Sequence, residues 1–351
     1  MKIIHTSDLH LDSPLNSRLS AEKSRLRKKE LLRGFSSLLE KAKELSADSI
    51  IIAGDLFDSE NISKRALDTV IFEISASPEI SFFYLPGNHE KNAFLSSGRN
   101  LPKNLFIFGE DWTYFKAGDL VIAGRSRISE GLFNNLKLNP ADKNIVVLHG
   151  ELTDKSAFPD KIGTTDAAKR EIDYMALGHY HTHTTHRLDT RGVAVYCGAP
   201  FTRGFDECGE RGFVLIDSSR ISEYKFLPFG ERRSHIIPLD ISSITDYGML
   251  ESECEKALSS ISYKDIVRLE IAGEKSPELW LDTTEIETQY SERFFHFEVK
   301  NSSKLQVEKG DYRFDKTLKG EFVRLVCSRE EFDEQTKEKI ISTGLHALLG
   351  D

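Results

Sequence analysis

The sequence predicts an α/β layered domain followed by a smaller α+β domain. Short β-rich apolar runs alternate with amphipathic stretches over the first two-thirds of the chain. Polar residues able to bind metal follow directly after several of those runs. The texture then changes around Gly230-Glu231-Arg232-Arg233, which divides the chain into 1–230 and 231–351.

The elements follow in order. Lys2-Ile3-Ile4-His5 forms a first strand that ends at Thr6-Ser7-Asp8. Leu31, Phe35, Leu38, Leu39, Ala42 and Leu45 recur at helical spacing and predict a helix over 22–45. A buried strand at 49–53, a polar turn and a helix near 62–76 come next. A strand at 81–85 then runs into Pro86-Gly87-Asn88-His89. Further strands are expected near 120–123, 144–148, 173–177, 193–196 and 212–217. Beyond 230 the pattern gives a strand at 235–239, a helix at 246–260 and strands at 264–271 and 294–300. Two helical segments close the chain.

Composition excludes several classes. With 351 residues, 39% hydrophobic and 29% charged, the chain is globular, neither disordered nor membrane-spanning. The N-terminus meets a charge at Asp8 before a signal-peptide core can form, which argues against secretion. Cys197, Cys208, Cys254 and Cys327 lack metal-site spacing and read as reduced, buried thiols of a cytoplasmic protein. A net charge of −9 weighs against unaided binding of nucleic acid, although bound divalent metals or a local basic face can reverse the sign at one site.

Five loops carry the chemistry: Asp8-Leu9-His10, Gly54-Asp55-Leu56-Phe57-Asp58, Gly87-Asn88-His89-Glu90, His149-Gly150 and Gly178-His179-Tyr180-His181. Each follows a predicted strand, and in an α/β sheet the carboxyl ends of the strands converge on one edge. Two carboxylates, an amide oxygen and several imidazoles form a mixed nitrogen–oxygen set that suits manganese, iron or zinc and exceeds what one ion can use. A single such loop is weak; the ordered series DxH, GDxxD, GNHE, HG, GHxH is not.

This series resembles the calcineurin-like metallophosphoesterases. DLHLDSP at 8–14, AGDLFD at 53–58 and YCGAPFTRGFDE at 196–207 resemble the SbcD/YhaO-type DNA repair nucleases more closely. KDIVRLEIAGE at 264–274 and LKGEFVRL at 318–325 extend the likeness into the tail. The resemblance implies a four-layer α/β/β/α sandwich and a manganese-dependent DNA exo- or endonuclease with two metal ions. Asp8, His10 and His181 would hold the first ion; Asn88, His149 and His179 would hold the second, with Asp55 bridging. His89 would assist the leaving group, and Asp58 would accept a hydrogen bond from it, unless Asp58 is only a turn carboxylate. Glu90 stands where many relatives have aspartate, with no evident bearing on metal binding. The resemblance also implies a long coiled-coil, SMC-like ATPase as partner.

Other residues keep two readings. His183 and His186 continue a strand leaving the site, and His5 is structural. Asp12 is either a turn residue or a support behind the ligands. Lys23, Arg25, Arg27, Lys28, Lys29 and Arg33 form a solvated face, a phosphate contact or the edge of a dimer. Arg203 and Arg211, flanking the GFDE segment, are candidates for DNA-backbone contact. Ile341, Leu345, Leu348 and Leu349 form a stripe that packs on its own domain or docks the partner. The functional alternatives are a phosphodiesterase or phosphatase with a non-DNA substrate, and a DNA-end scaffold whose catalysis is dispensable.

Overall fold

In the computed structural model, residues 1–13, 19–90, 93–154, 161–276, 279–306, 312 and 314–349 are described, without the side chains of 93, 335, 338, 342, 346 and 349. They fall into two compact units, Met1–Arg233 and Ser234–Asp351.

Two six-stranded sheets form the first unit. The first contains β1 (Lys2–Thr6), β2 (Ser49–Ala53), β3 (Ser81–Leu85), β4 (Leu105–Ile107), and, from later in the chain, residues 212–217 and 225–228. The second contains β5 (Thr113–Ala117), β6 (Leu120–Gly124) and β7 (Lys143–His149). A small parallel pair, β8 (Glu151–Thr153) and β9 (Lys161–Gly163), lies outside both sheets. The second sheet continues with β10 (Tyr174–Gly178), β11 (Thr184–Arg187) and β12 (Val193–Tyr196). The two late strands of the first sheet are β13 (Gly212–Asp217) and β14 (Lys225–Pro228). The strand orders are β14-β13-β1-β2-β3-β4 and β11-β12-β10-β7-β6-β5.

Alternation along the strands sets the layers. In β2, Ile51 and Ala53 face the second sheet, packed with Ile145, Val147, Tyr174, Ala176 and Val195. Ile50 and Ile52 face the other way, onto helices α1 (Ala21–Glu44) and α2 (Lys64–Ser75), through Leu31, Phe35, Leu38, Ala66 and Val70. A strand covered on both faces can be apolar at every position, which is why SIIIA shows no polar alternation. Val146, Leu148, Met175 and Leu177 pack outward from the second sheet onto Leu132, Phe133, Ile162 and Ala167. Two further short helices, α3 (Ala93–Ser96) and α4 (Thr164–Ala167), complete the unit. The layer order is α/β/β/α, with the fourth layer reduced to α4 and loops.

One consequence positions the site. β1, β2 and β3 run parallel in one sheet; β7, β10 and β12 run parallel in the other. The loops leaving β1, β2, β3, β7 and β10 are the five that carry the predicted ligands.

The second unit is built on a parallel sheet of β15 (Ser234–Asp240), β16 (Ile266–Ala272) and, third, residues 296–301. A short strand β17 (Glu274–Lys275) follows β16; β18 (His296–Asn301) is the third sheet strand, and β19 (Lys304–Leu305) pairs with β17. Helices α5 (Tyr247–Leu258) and α6 (Thr283–Tyr290) join the sheet core through Leu250, Leu258 and Ile286. The tail helices α7 (Leu318–Cys327) and α8 (Glu334–Leu349) bury Val323, Val326, Ile341 and Leu345 together with Leu305. The apolar stripe of α8 is therefore spent within its own unit at Ile341 and Leu345, while Leu348 is exposed and the Leu349 side chain lies outside the described residues. No helix among the described residues is long and apolar enough to cross a membrane.

Phe35 is fully buried between α1 and the first sheet. Phe35→Ala is expected to lower unfolding free energy by about 3–5 kcal/mol, read as a lower urea midpoint at unchanged slope.

Candidate metal centre

The loop after β1 lies against the loop after β2. The Asp8 and His10 amides donate to the Gly54 and Asp55 carbonyls, each at 3.0 Å, and the Leu11 amide donates to Leu56 at 2.8 Å. Asp8, His10 and Asp55 adopt φ of 54°, 45° and 51°, and His179 has φ 104°. Left-handed backbone at several non-glycine residues is costly and tends to gather at functional sites. Glycine is needed where the loops crowd. A Cβ on Gly87 would stand 2.0 Å from Asp55 Oδ1, and one on Gly178 would stand 1.9 Å from the Ala53 carbonyl.

The predicted ligands meet. Asp8, His10 and His181 present ligand atoms within 4.8 Å of one another, as do Asp8, Asp55 and His149. Asp55 Oδ2 is 3.8 Å from His10 Nε2 and 3.3 Å from His149 Nε2, placing it between the two groups. Asn88 Oδ1 is 2.8 Å from His149 Nε2. His179 stands beside these groups: its ring centroid is 5.5 Å from that of His149, and its amide donates to both Asp8 oxygens at 3.0 and 3.1 Å.

The donor chemistry fits cations. His149 Nδ1 meets the Ala53 carbonyl at 2.9 Å, and a carbonyl only accepts, so that nitrogen carries the proton. Nε2 is then a bare lone pair in the neutral ring, facing a carboxylate and an amide oxygen. His10 Nδ1 lies 3.1 Å from Asp58 Oδ1 and His181 Nδ1 lies 2.7 Å from Glu207 Oε1. The Glu207 contact fixes the His181 proton on Nδ1, and the His181 Nε2 lone pair faces His10 Nε2 at 3.2 Å. Such an arrangement is favourable with a positive charge between the rings.

In the metal-free protein the rings differ in charge. Burial pulls the His149 imidazolium down, but the Asp55 hydrogen bond and the Asp8 and Asp55 charges outweigh it and lift it to about 9. Burial raises Asp55, yet His149 and His10 bring it to about 2. Burial keeps His10 low and hence neutral, the form that binds metal; Asp58 opposes this and Arg203 reinforces it.

Asp58, Arg203 and Arg211 have partners that the spacing did not predict. The Asp58 carboxylate has no hydrogen bond to His89, although the two lie within 4.8 Å beside His10; it lies 3.1 Å from His10 and accepts from Arg203 Nη1 at 2.7 Å. His89 Nδ1 instead meets the Asp58 main-chain carbonyl at 2.9 Å. Arg211 is buried and donates through both terminal nitrogens to the His181 and Cys208 carbonyls. Arg203 is engaged with Asp58 and with Glu207, at 2.9 Å from its Nε. Both arginines brace the ligand loop rather than reach outward.

Glu90 has a bearing on the site after all. It is buried, and one oxygen accepts from the Leu56 amide at 3.0 Å, the Gly87 amide at 3.2 Å and Tyr84 Oη at 2.9 Å. It thereby ties the Asp55 loop to the Asn88 loop, and burial with the nearby Asp55 charge raises it to about 7. Glu207 was also missed as a single residue; its only signal was membership of the GFDE segment. Burial raises it, but His181 and Arg203 bring it to about 2.

The remaining histidines are structural neighbours. His183 Nδ1 donates to the Tyr196 carbonyl, 2.9 Å away, and its ring stacks on Phe226 at 4.6 Å. His186 meets the edge of Tyr196, and His5 is buried against Tyr174 Oη at 2.9 Å, where burial holds it neutral, down to about 3. Asp12 accepts from the Ser63 amide at 2.9 Å, Ser63 being the N-cap of α2. In the basic run of α1, Lys28, Lys29 and Arg33 are exposed, whereas Arg27 is buried and bound to Glu30 and the Thr202 carbonyl. Cys197 and Cys254 are buried and Cys208 and Cys327 half-buried, all as free thiols.

Residues 1–216 match the calcineurin-like phosphoesterase family. The uncharacterized metallophosphoesterase YhaO of Bacillus subtilis is 29% identical over 233 residues, covering 62% of this chain and 57% of that protein. The DNA double-strand break repair protein Mre11 of Sulfurisphaera tokodaii is 25% identical over 272 residues, covering 70% of this chain and 67% of that protein. A subunit of the nuclease SbcCD of Staphylococcus epidermidis is 25% identical over 272 residues, covering 65% of this chain and 69% of that protein. The match therefore spans little more than half the length of YhaO. A strand-end cluster of carboxylates and imidazoles, on a sandwich matched over its first 216 residues, makes the chain a member of the calcineurin-like phosphoesterase family.

Proposed function

We propose that the chain is a manganese-dependent DNA exo- or endonuclease acting in double-strand-break repair. The observation that carries this reading is the convergence of five strand-end loops around Asp55, between the His10 and His149 rings. The names of two relatives, a break-repair protein and part of a nuclease, support DNA as the substrate.

Asp8, His10 and His181 would hold one ion and Asn88, His149 and His179 the other, with Asp55 shared between them. Two divalent cations so held would activate water and neutralise the charge that builds on the phosphate oxygens during in-line attack. The protein's own part is to fix geometry and move protons. His89, 43% exposed, has its Nδ1 proton committed to the Asp58 carbonyl, leaving Nε2 open, 3.9 Å from Asp55 Oδ2. Protonated there, it would deliver a proton to the departing 3′ oxygen, a poor leaving group that gains from a general acid.

The −9 net charge suits an enzyme that does not grip DNA alone. A partner is supported by the relative that is one subunit of a larger nuclease, and we assign that role to a coiled-coil, SMC-like ATPase that presents the DNA end. The unit Ser234–Asp351 would serve as the accessory, DNA- or partner-binding domain, in a cytoplasmic protein.

Manganese-loaded protein, with and without such an ATPase, is expected to cleave single- or double-stranded DNA and to stop on chelation. Cleavage of a nitrophenyl diester or cyclic nucleotide with none of DNA would instead identify a small-molecule phosphodiesterase. His89→Asn is expected to retain metal and lose about 10²–10⁴-fold in DNA cleavage rate. Repair in cells that survives this change would favour a scaffold role.

Metal uptake is expected to release a proton. His149, lifted to about 9, is protonated at pH 7.5 in the metal-free protein, and ligation requires its bare Nε2. Uptake should therefore tighten as pH rises from 7 toward 9. Calorimetric heats of Mn²⁺ binding in buffers of different ionisation enthalpy measure the proton count; a count of zero contradicts the assignment of His149 as a ligand.

A further inference from the structure

Five side chains close a ring behind the candidate ligands. Asp58 Oδ1 is 3.1 Å from His10 Nδ1 and accepts from Arg203 Nη1 at 2.7 Å. Arg203 Nε donates to Glu207 Oε1 at 2.9 Å, and that oxygen lies 2.7 Å from His181 Nδ1. The His10 and His181 Nε2 atoms, 3.2 Å apart, complete the circuit. The Arg203 amide adds a bond to Glu207 Oε2 at 2.7 Å.

Asp58 and Glu207 face adjacent rings, and their negative charges would repel without a cation between them. A guanidinium suits that position because its planar fork reaches both carboxylates at once, which an ammonium cannot do with fixed geometry. Glu207 fixes His181 as the Nδ1–H tautomer and turns its Nε2 inward, while Asp58 lies against the His10 ring. The other side of Asp55 is built differently: the His149 Nδ1 rests on a neutral main-chain carbonyl, that of Ala53.

We propose that Arg203 is a positioning residue for one of the two ions: acting through Asp58 and Glu207 it orients His10 and His181, and so governs the affinity of the ion they hold. The ion of Asn88, His149 and His179 does not depend on it. This inference rests on the two-ion reading given above.

The test is Mn²⁺ titration of the full-length protein by calorimetry, with bound metal counted by mass spectrometry. The unaltered protein should bind two ions. Arg203→Met should weaken one of them by roughly 10–100-fold and leave the other as it was. Arg203→Lys, which keeps the charge but not the fork, should fall between. Arg203→Met combined with Glu207→Gln should cost no more than the worse single change, because the ring acts as a unit. Should Arg203→Met fail to fold, Glu207→Gln alone carries the same expectation. Retention of both ions at full affinity in these variants, or equal weakening of both, would overturn the proposal. An unaltered protein that binds no pair of ions would instead remove the two-ion reading itself.

Discussion

Two carboxylates, Asp8 and Asp55, are held at 1% and 2% exposure at the ends of neighbouring parallel strands, and everything around them responds to that burial. Taking an ionised carboxylate out of water costs several kcal/mol unless hydrogen bonds and opposite charge offset it. Here the offset is partial and directional. Asp8 accepts from the His179 amide and from Ser7, and Asp55 accepts from the His89 amide. Their remaining lone pairs point at imidazole nitrogens whose other ring nitrogen is already committed. Such a concentration of buried negative charge suits a cation.

The contrast with Glu90 shows that the effect is local. Glu90 is as deeply buried, but its partners are main-chain amides and a tyrosine, and burial with the Asp55 charge pushes it up to about 7. One carboxylate is kept ionised at about 2 while its neighbour is lifted toward neutrality. The difference lies in which groups face each oxygen. Glu90 serves geometry, joining the loops that carry Asp55 and Asn88.

Much of this was legible in the sequence, for reasons that can be named. Strands 49–53 and 81–85 are continuous apolar runs because both faces are covered, and that signal is strong. Thr113–Ala117 gives no such signal because most of its residues touch water. The candidate ligands were visible because glycine and polar residues at strand ends mark loops that turn sharply. The supports behind them were not. Spacing cannot say that the Asp58 carboxylate faces His10 while its carbonyl faces His89, since both lie on one residue. Nor does charge reveal that Arg203, Arg211 and Arg27 turn inward; an arginine reads as surface until its partners, Glu207, a carbonyl or Glu30, are placed.

Anomalous diffraction from a crystal soaked in Mn²⁺ measures the central claim most directly. Two peaks are expected on either side of Asp55, one against Asp8, His10 and His181 and the other against Asn88, His149 and His179. A single peak remote from Asp55, or none at these side chains in a fully soaked crystal, would contradict it.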